Sequence, residues 1–261
     1  MAHQSYYKSS NAGRLPVEFI VACLVGFAAA VSTTVYFIRS MGDEMNMPGG
    51  WKMSMMWMRM PGQTWFLSAL SFLLMWLAMM VAMMMPSALL MFLKTRRQWL
   101  SLCYMAAGYF AIWLIAGVGI YVLGVELNDV AMRSIFLSRA VPLLSGASLI
   151  VAGTIQFTRW KMTHLLRCRS PFGCAAACPR NETGFQLGCK QGIACCACCS
   201  SLMTIQLILG IMNPLVMIVV AVVIAAEKFL PRPEVTARLA GISAIIAGVI
   251  MVANWIMRSY A

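Results

Sequence analysis

The sequence predicts an all-α protein, a polytopic membrane helix bundle of about six transmembrane helices with both chain ends inside (N-in/C-in). Three observations carry that prediction. The chain is 61% hydrophobic and 11% charged, against about 45–50% apolar and roughly 25% charged in soluble domains. Residues 64–93 and 191–226 contain no Asp, Glu, Lys or Arg. The cations gather instead at the ends of such runs. One Lys, Arg or Asp at a bilayer centre costs about 2.5–3.5 kcal/mol on an insertion scale, so long uncharged apolar runs suit spanning helices.

The first span is expected at 17–38. Lys8 and Arg14 precede it, and Ala28 to Ala30 resembles a signal-peptide cleavage site. The apolar run continues past those alanines to Ile38, beyond the roughly 7–15 residues of a signal peptide. An uncleaved helix is therefore expected. The second span, 64–93, has 30 residues, or about 45 Å of helix at 1.5 Å per residue. A hydrocarbon core is about 30 Å thick, so the helix should tilt, kink or protrude. Pro86 should help by leaving the carbonyl of Ala82 without its helical partner. Further spans are expected at 99–124, 140–157, 201–226 and 239–257. Pro214 should kink the fifth near Gly210, with Asn213 acting as helix–helix glue or as the polar lining of an internal site.

The whole chain, 1–261, reads as a single membrane domain. Its net charge of +12 would suggest nucleic acid in a soluble protein, but here it reads as topology and lipid contact. With the N-terminus inside, the inner segments carry 12 Lys and Arg, Arg258 among them, and the outer ones carry 8, including Lys228, Arg232 and Arg238. The positive-inside rule then favours N-in and C-in. No nucleotide loop, serine triad or paired-carboxylate site is evident, and only 8 acidic residues are present. A non-enzymatic role is expected, with no nucleic-acid partner.

Two segments carry unusual chemistry. Residues 39–63, expected as an extracytoplasmic loop, include MSMMWMRM at 53–60. Of the 24 methionines in the chain, 15 fall between Met41 and Met91. Thioethers are soft, neutral donors that select Cu(I), and they cannot form disulfides in an oxidising compartment. Met45, Met47, Met53, Met55, Met56, Met58 and Met60 are spaced closely enough for two or three to share one ion. The plainer reading is an interfacial segment anchored by Trp51 and Trp57, with methionine as adaptable filler. Within the second span, Met75, Met79 and Met83 recur every fourth residue, beside Met80 and Met84. Such a row suits core packing as well as ligation.

Residues 161–200, expected as a cytoplasmic segment, are the cysteine pole. Eight of the ten cysteines lie between Cys168 and Cys199. In a helix, Cys195, Cys198 and Cys199 of CCACC share one face, and Cys195 with Cys198 also forms a CxxC. Cys168, Cys174, Cys178, Cys189 and Cys196 complete the set, after His164. Three chemistries fit: soft Cu(I), a structural zinc site, or a thiol–disulfide relay. Cys23 and Cys103 stand alone and read as packing.

The blocks MNMPGGWKMSMMWMRMPGQTW, MWLAMMVAMMMPS, QFTRWKMTHLLRCR, the CxxCC of Cys195, Cys198 and Cys199, and GIMNP together resemble a bacterial family of predicted metal-binding integral membrane proteins of uncharacterised function. The resemblance implies metal contact at the loop methionines, at Met79, Met80, Met83 and Met84, and at His164, Cys168, Cys195, Cys198 and Cys199. The chain departs from the pattern at Ala194, where a polar or aromatic residue often precedes the CxxCC. Cys174, Cys178, Cys189 and Cys196 look like additions.

The leading expectation is a multi-pass protein of the bacterial inner membrane that binds copper(I), with zinc as the other candidate. It would transport copper, store it, or deliver it to a metallochaperone or membrane copper enzyme. A membrane thiol–disulfide oxidoreductase and a non-catalytic subunit of a larger membrane complex are the rivals.

Overall fold

The computed structural model describes residues 17–40, 44–46, 52–54, 64–94, 99–169 and 183–260. Among these, the chain is an all-α bundle of eight helices: α1 (Val17–Ser40), α2 (Trp65–Lys94), α3 (Trp99–Arg133), α4 (Ile135–Ile155), α5 (Arg159–Arg169), α6 (Gly184–Gly210), α7 (Pro214–Phe229) and α8 (Pro233–Tyr260). Two short strands, β1 (Glu44–Asn46) and β2 (Lys52–Ser54), pair antiparallel between α1 and α2. Six helices are long and apolar enough to cross a membrane: α1, α2, α3, α4, α6 and α8. Large apolar side chains such as Phe66, Ile115, Phe136 and Leu215 point outward. In lipid this surface carries no penalty, and helices associate through close packing of small residues instead.

Glycine does that work at the centre. Gly184, Gly188 and Gly192 recur every fourth residue along α6 and lie flat against α3. A Cβ on Gly188 would come within 2.0 Å of the Met105 carbonyl oxygen, and one on Gly184 within 2.5 Å of that of Ser101. Because 184 pairs with 101, 188 with 105 and 192 with 109, the two helices run parallel. On the other side, Gly146 and Gly153 of α4 meet Gly248 and Gly241 of α8, an antiparallel contact by the same device.

Three expectations are corrected. The span expected at 201–226 is two helices, α6 and α7, folded back on each other. Gly210 adopts φ +117°, a left-handed conformation that glycine reaches without a Cβ clash. Asn213 is the N-cap of α7: its Oδ1 accepts from the backbone N–H groups of Leu215 (3.0 Å) and Val216 (3.4 Å). Pro214 occupies the first turn, where its missing N–H costs nothing. The Gly210 carbonyl accepts from the Asn213 N–H at 3.2 Å. Asn213-Pro214 is thus a helix start, neither a kink nor the lining of a site.

The second correction concerns the chain ends. Phe19 of α1 packs edge-on against Phe92 and Trp99, so the start of α1 lies with the end of α2 and the start of α3. At the other end, the Trp255 indole of α8 donates to the Arg139 carbonyl at 2.7 Å, beside the start of α4. The return helix α7 adds one reversal, so the two ends lie at opposite ends of the bundle in place of the N-in/C-in arrangement. Third, the segment between the fourth and fifth expected spans is helical where it is described, as α5 and the start of α6. The helix α2 runs unbroken through Pro86, with the Ser87 hydroxyl donating to the Met84 carbonyl at 2.9 Å.

Candidate metal centre

Two helices bring the thiols together. Cys195 and Cys198 lie one turn apart on α6, facing inward. Cys168 comes from α5, a short helix of polar character that follows α4 after a break at 156–158. The Gln191 side-chain amide holds α5 against α6 by donating to the Cys168 carbonyl at 3.1 Å. The sulfurs of Cys168, Cys195 and Cys198 all lie within 4.8 Å of one another, and all three residues are buried. Cys199 stands next to them, its Sγ 3.5 Å from that of Cys198 and 3.9 Å from that of Cys195.

The surroundings are polar in specific ways. The Tyr109 hydroxyl of α3 donates to Cys195 Sγ at 3.0 Å. The glycine contact between α3 and α6 makes this possible, because it sets Tyr109 level with Gly192. The Lys228 ammonium, from the last turn of α7, lies 3.2 Å from Cys195 Sγ, 3.0 Å from Ser87 Oγ and 3.9 Å from Met84 Sδ. Behind Cys198, Lys161 donates to its carbonyl at 2.7 Å and to Glu227 Oε2 at 2.8 Å. The Arg169 guanidinium donates to the Glu227 carbonyl at 3.0 Å. The hydrogen bond with Cys195 pushes the Cys168 thiol up to about 12; its bond with Cys198 acts the other way, and burial raises it further. A metal that uses Cys168 therefore has to displace a proton.

Thiolates at this spacing could hold a soft ion such as Cu(I). A structural zinc site takes four ligands in a tetrahedron; the close group supplies three, with Cys199 adjacent to two of them.

The methionines of α2 are buried in the same core: Met75, Met79, Met80, Met83 and Met84. Met79 Sδ accepts from the Gln206 amide of α6 at 3.2 Å, and Met84 reaches the cysteine site through Lys228. Met80 and Met83 pack in the same core. Met45 and Met53 are register partners across the β1–β2 pair. Met47, Met55, Met56, Met58, Met60, Cys174 and Cys178 lie outside the described residues. His164 sits one turn from Cys168 on α5 but stacks on Trp160, with ring centroids 4.6 Å apart, and is not part of the thiol group. Cys189 is half-buried and points its thiol at the Gly108 carbonyl, 3.6 Å away. Cys196 is half-buried and also stands apart.

Sequence reasoning missed Tyr109, Lys161, Glu227 and Lys228. Tyr109 has no local signal. Lys228 read as an outer-loop cation because α7 was merged into one span. The signal that could have corrected this is Asn213-Pro214, an N-cap followed by Pro at the first helical position.

A search of curated proteins and a search of solved structures each find no match. A protein-family model described as PpoB2, copper chaperone, matches residues 73–251. The stretch begins inside α2, so it takes in the buried methionines and every thiol of the cluster and leaves out the loop methionines before it. Since the match spans well over half of the 261 residues, the chain belongs to the PpoB2 copper chaperone family.

Proposed function

We propose that this chain is a multi-pass protein of the bacterial inner membrane that holds copper(I) at Cys168, Cys195 and Cys198 and delivers it to an acceptor, either a metallochaperone or a membrane copper enzyme. The observation that carries the reading is the trio of buried thiols within 4.8 Å, drawn from two helices and lying inside the family-matched region. Sulfur donors favour Cu(I), and a buried site shields the ion from water and oxygen. The partly filled shell suits a carrier: an acceptor thiol can add to a low-coordinate ion before the carrier's thiols leave. The loop methionines would serve as a first, weaker contact on the outer face, with their thioethers passing the ion toward the thiols.

The test is metal analysis of protein purified in detergent without oxygen, with X-ray absorption at the metal edge. Copper in a sulfur-only shell supports the reading. Zinc alone would replace it with a structural cysteine site. A metal-free protein with cysteines paired in disulfides would favour a thiol relay.

A further inference from the structure

Lys228 is a cation already lodged among soft donors. Its ammonium contacts two sulfurs of different kinds, the Cys195 thiol at 3.2 Å and the Met84 thioether at 3.9 Å, with the Ser87 hydroxyl at 3.0 Å. The adjacent carboxylate, Glu227, directs its Oε2 to Lys161 at 2.8 Å. Met84 and Cys195 are both fully buried. Met84 is also the member of the α2 methionine row that reaches the thiol site. The ammonium thus sits at a junction between the row and the thiols.

Resting on the copper(I) reading above, we propose that Met84 and Cys195 are successive sulfur contacts on the cargo's way into the three-thiol site, and that the Lys228 ammonium fills the passage between them until a soft monovalent cation displaces it. The exchange is of like for like in charge. One positive charge leaves as another arrives, so the apolar surroundings gain no net charge at that step. Sulfur chemistry supplies the selectivity. A hard divalent ion prefers oxygen ligands, and one hydroxyl does not compensate it for two sulfurs, whereas Cu(I) gains both. Lysine suits the task because its charge rides on a flexible four-carbon stem. Lys228 is the penultimate residue of α7, so the released ammonium can swing past the helix end toward the polar boundary. A fixed counter-ion would behave differently, staying in place and strengthening the hold on the metal.

The experiment compares wild type, Lys228→Leu and Met84→Leu, each purified in detergent without oxygen. Loading with Cu(I) and unloading to bicinchoninate are followed by stopped-flow absorbance. Copper per chain and the sulfur shell are measured alongside. Lys228→Leu, which removes the ammonium without adding a sulfur donor, is expected to keep its copper and sulfur shell but to load and unload about tenfold faster, the change from losing one charged hydrogen bond that must break on the way. Met84→Leu is expected to slow loading. Unchanged rates in Lys228→Leu, or loss of its copper, overturn the passage while leaving the copper site standing. A wild type without sulfur-bound copper overturns the copper reading first, and the passage with it.

Discussion

Lys161 of α5 and Glu227 of α7 form an ion pair at 2.8 Å with side chains 0% and 1% exposed. Neither residue is a candidate ligand, yet the pair ties both helices to the carbonyl of Cys198. A buried pair adds little net stability, but breaking it by removing one partner costs about 3–5 kcal/mol because the other charge is stranded. Lys161→Met alone, or Glu227→Leu alone, is therefore expected to destabilise strongly. The double variant Lys161→Met/Glu227→Leu should recover much of the loss. Thermal unfolding in detergent, run as a double-mutant cycle, reads the coupling; additive single effects would refute it.

The cysteines should divide sharply. Serine in place of Cys168, Cys195 or Cys198 exchanges a soft donor for a hard one and is expected to abolish stoichiometric copper. Cys196→Ser should leave copper in place, since Cys196 stands outside the group. Replacing the loop methionines by leucine should likewise leave the thiol-bound copper. Anaerobic copper analysis checks the series, and loss of copper in Cys196→Ser would show that the cluster is drawn wrongly.

Gly188 fixes how closely α3 and α6 approach. A Cβ there would meet the Met105 carbonyl at 2.0 Å, and backbone does not yield as a side chain can. Gly188→Ala is expected to cost about 1–3 kcal/mol by overpacking and to move Tyr109 away from Cys195. The expected signature is a lowered melting temperature together with weaker copper binding. Gly119 has open space where its Cβ would stand, so Gly119→Ala is the control and should leave both measurements unchanged.

The two ends of the chain should face opposite sides of the membrane. The added reversal at Gly210 moves Arg258 out and brings Lys228, Arg232 and Arg238 in, so the count of inner to outer cations changes from 12 against 8 to 14 against 6. That is a stronger positive-inside bias than the six-span reading has. Reporter fusions that fluoresce only inside or act only outside, placed at each end in turn, should report opposite sides. Matching reports would return α7 to a single span with α6.

The helices themselves were legible in the chain because their cause is local. An apolar run free of charge forms a helix wherever it meets lipid, since no other arrangement satisfies its backbone. The bounds of α1 and α2 accordingly fall within two residues of expectation. The end of α6 was misjudged for the opposite reason: 191–226 carries no charge and is mostly apolar, so hydropathy cannot see a reversal within it. Capping chemistry at Asn213 decides that reversal. At the site, residue type and spacing were enough to mark Cys195 and Cys198, because i and i+3 on one helix share a face. Which distant residues join them was not legible. Cys168 over Cys174 or His164, Tyr109 from 86 positions away, and Lys228 over any other cation are set by how α3, α5 and α7 pack on α6. That packing depends on where glycines let backbones touch, a contact between segments far apart in sequence. The sequence by itself therefore determined a helical, apolar, sulfur-rich chain, and only the tertiary structure decided which sulfurs meet and which charge stands among them.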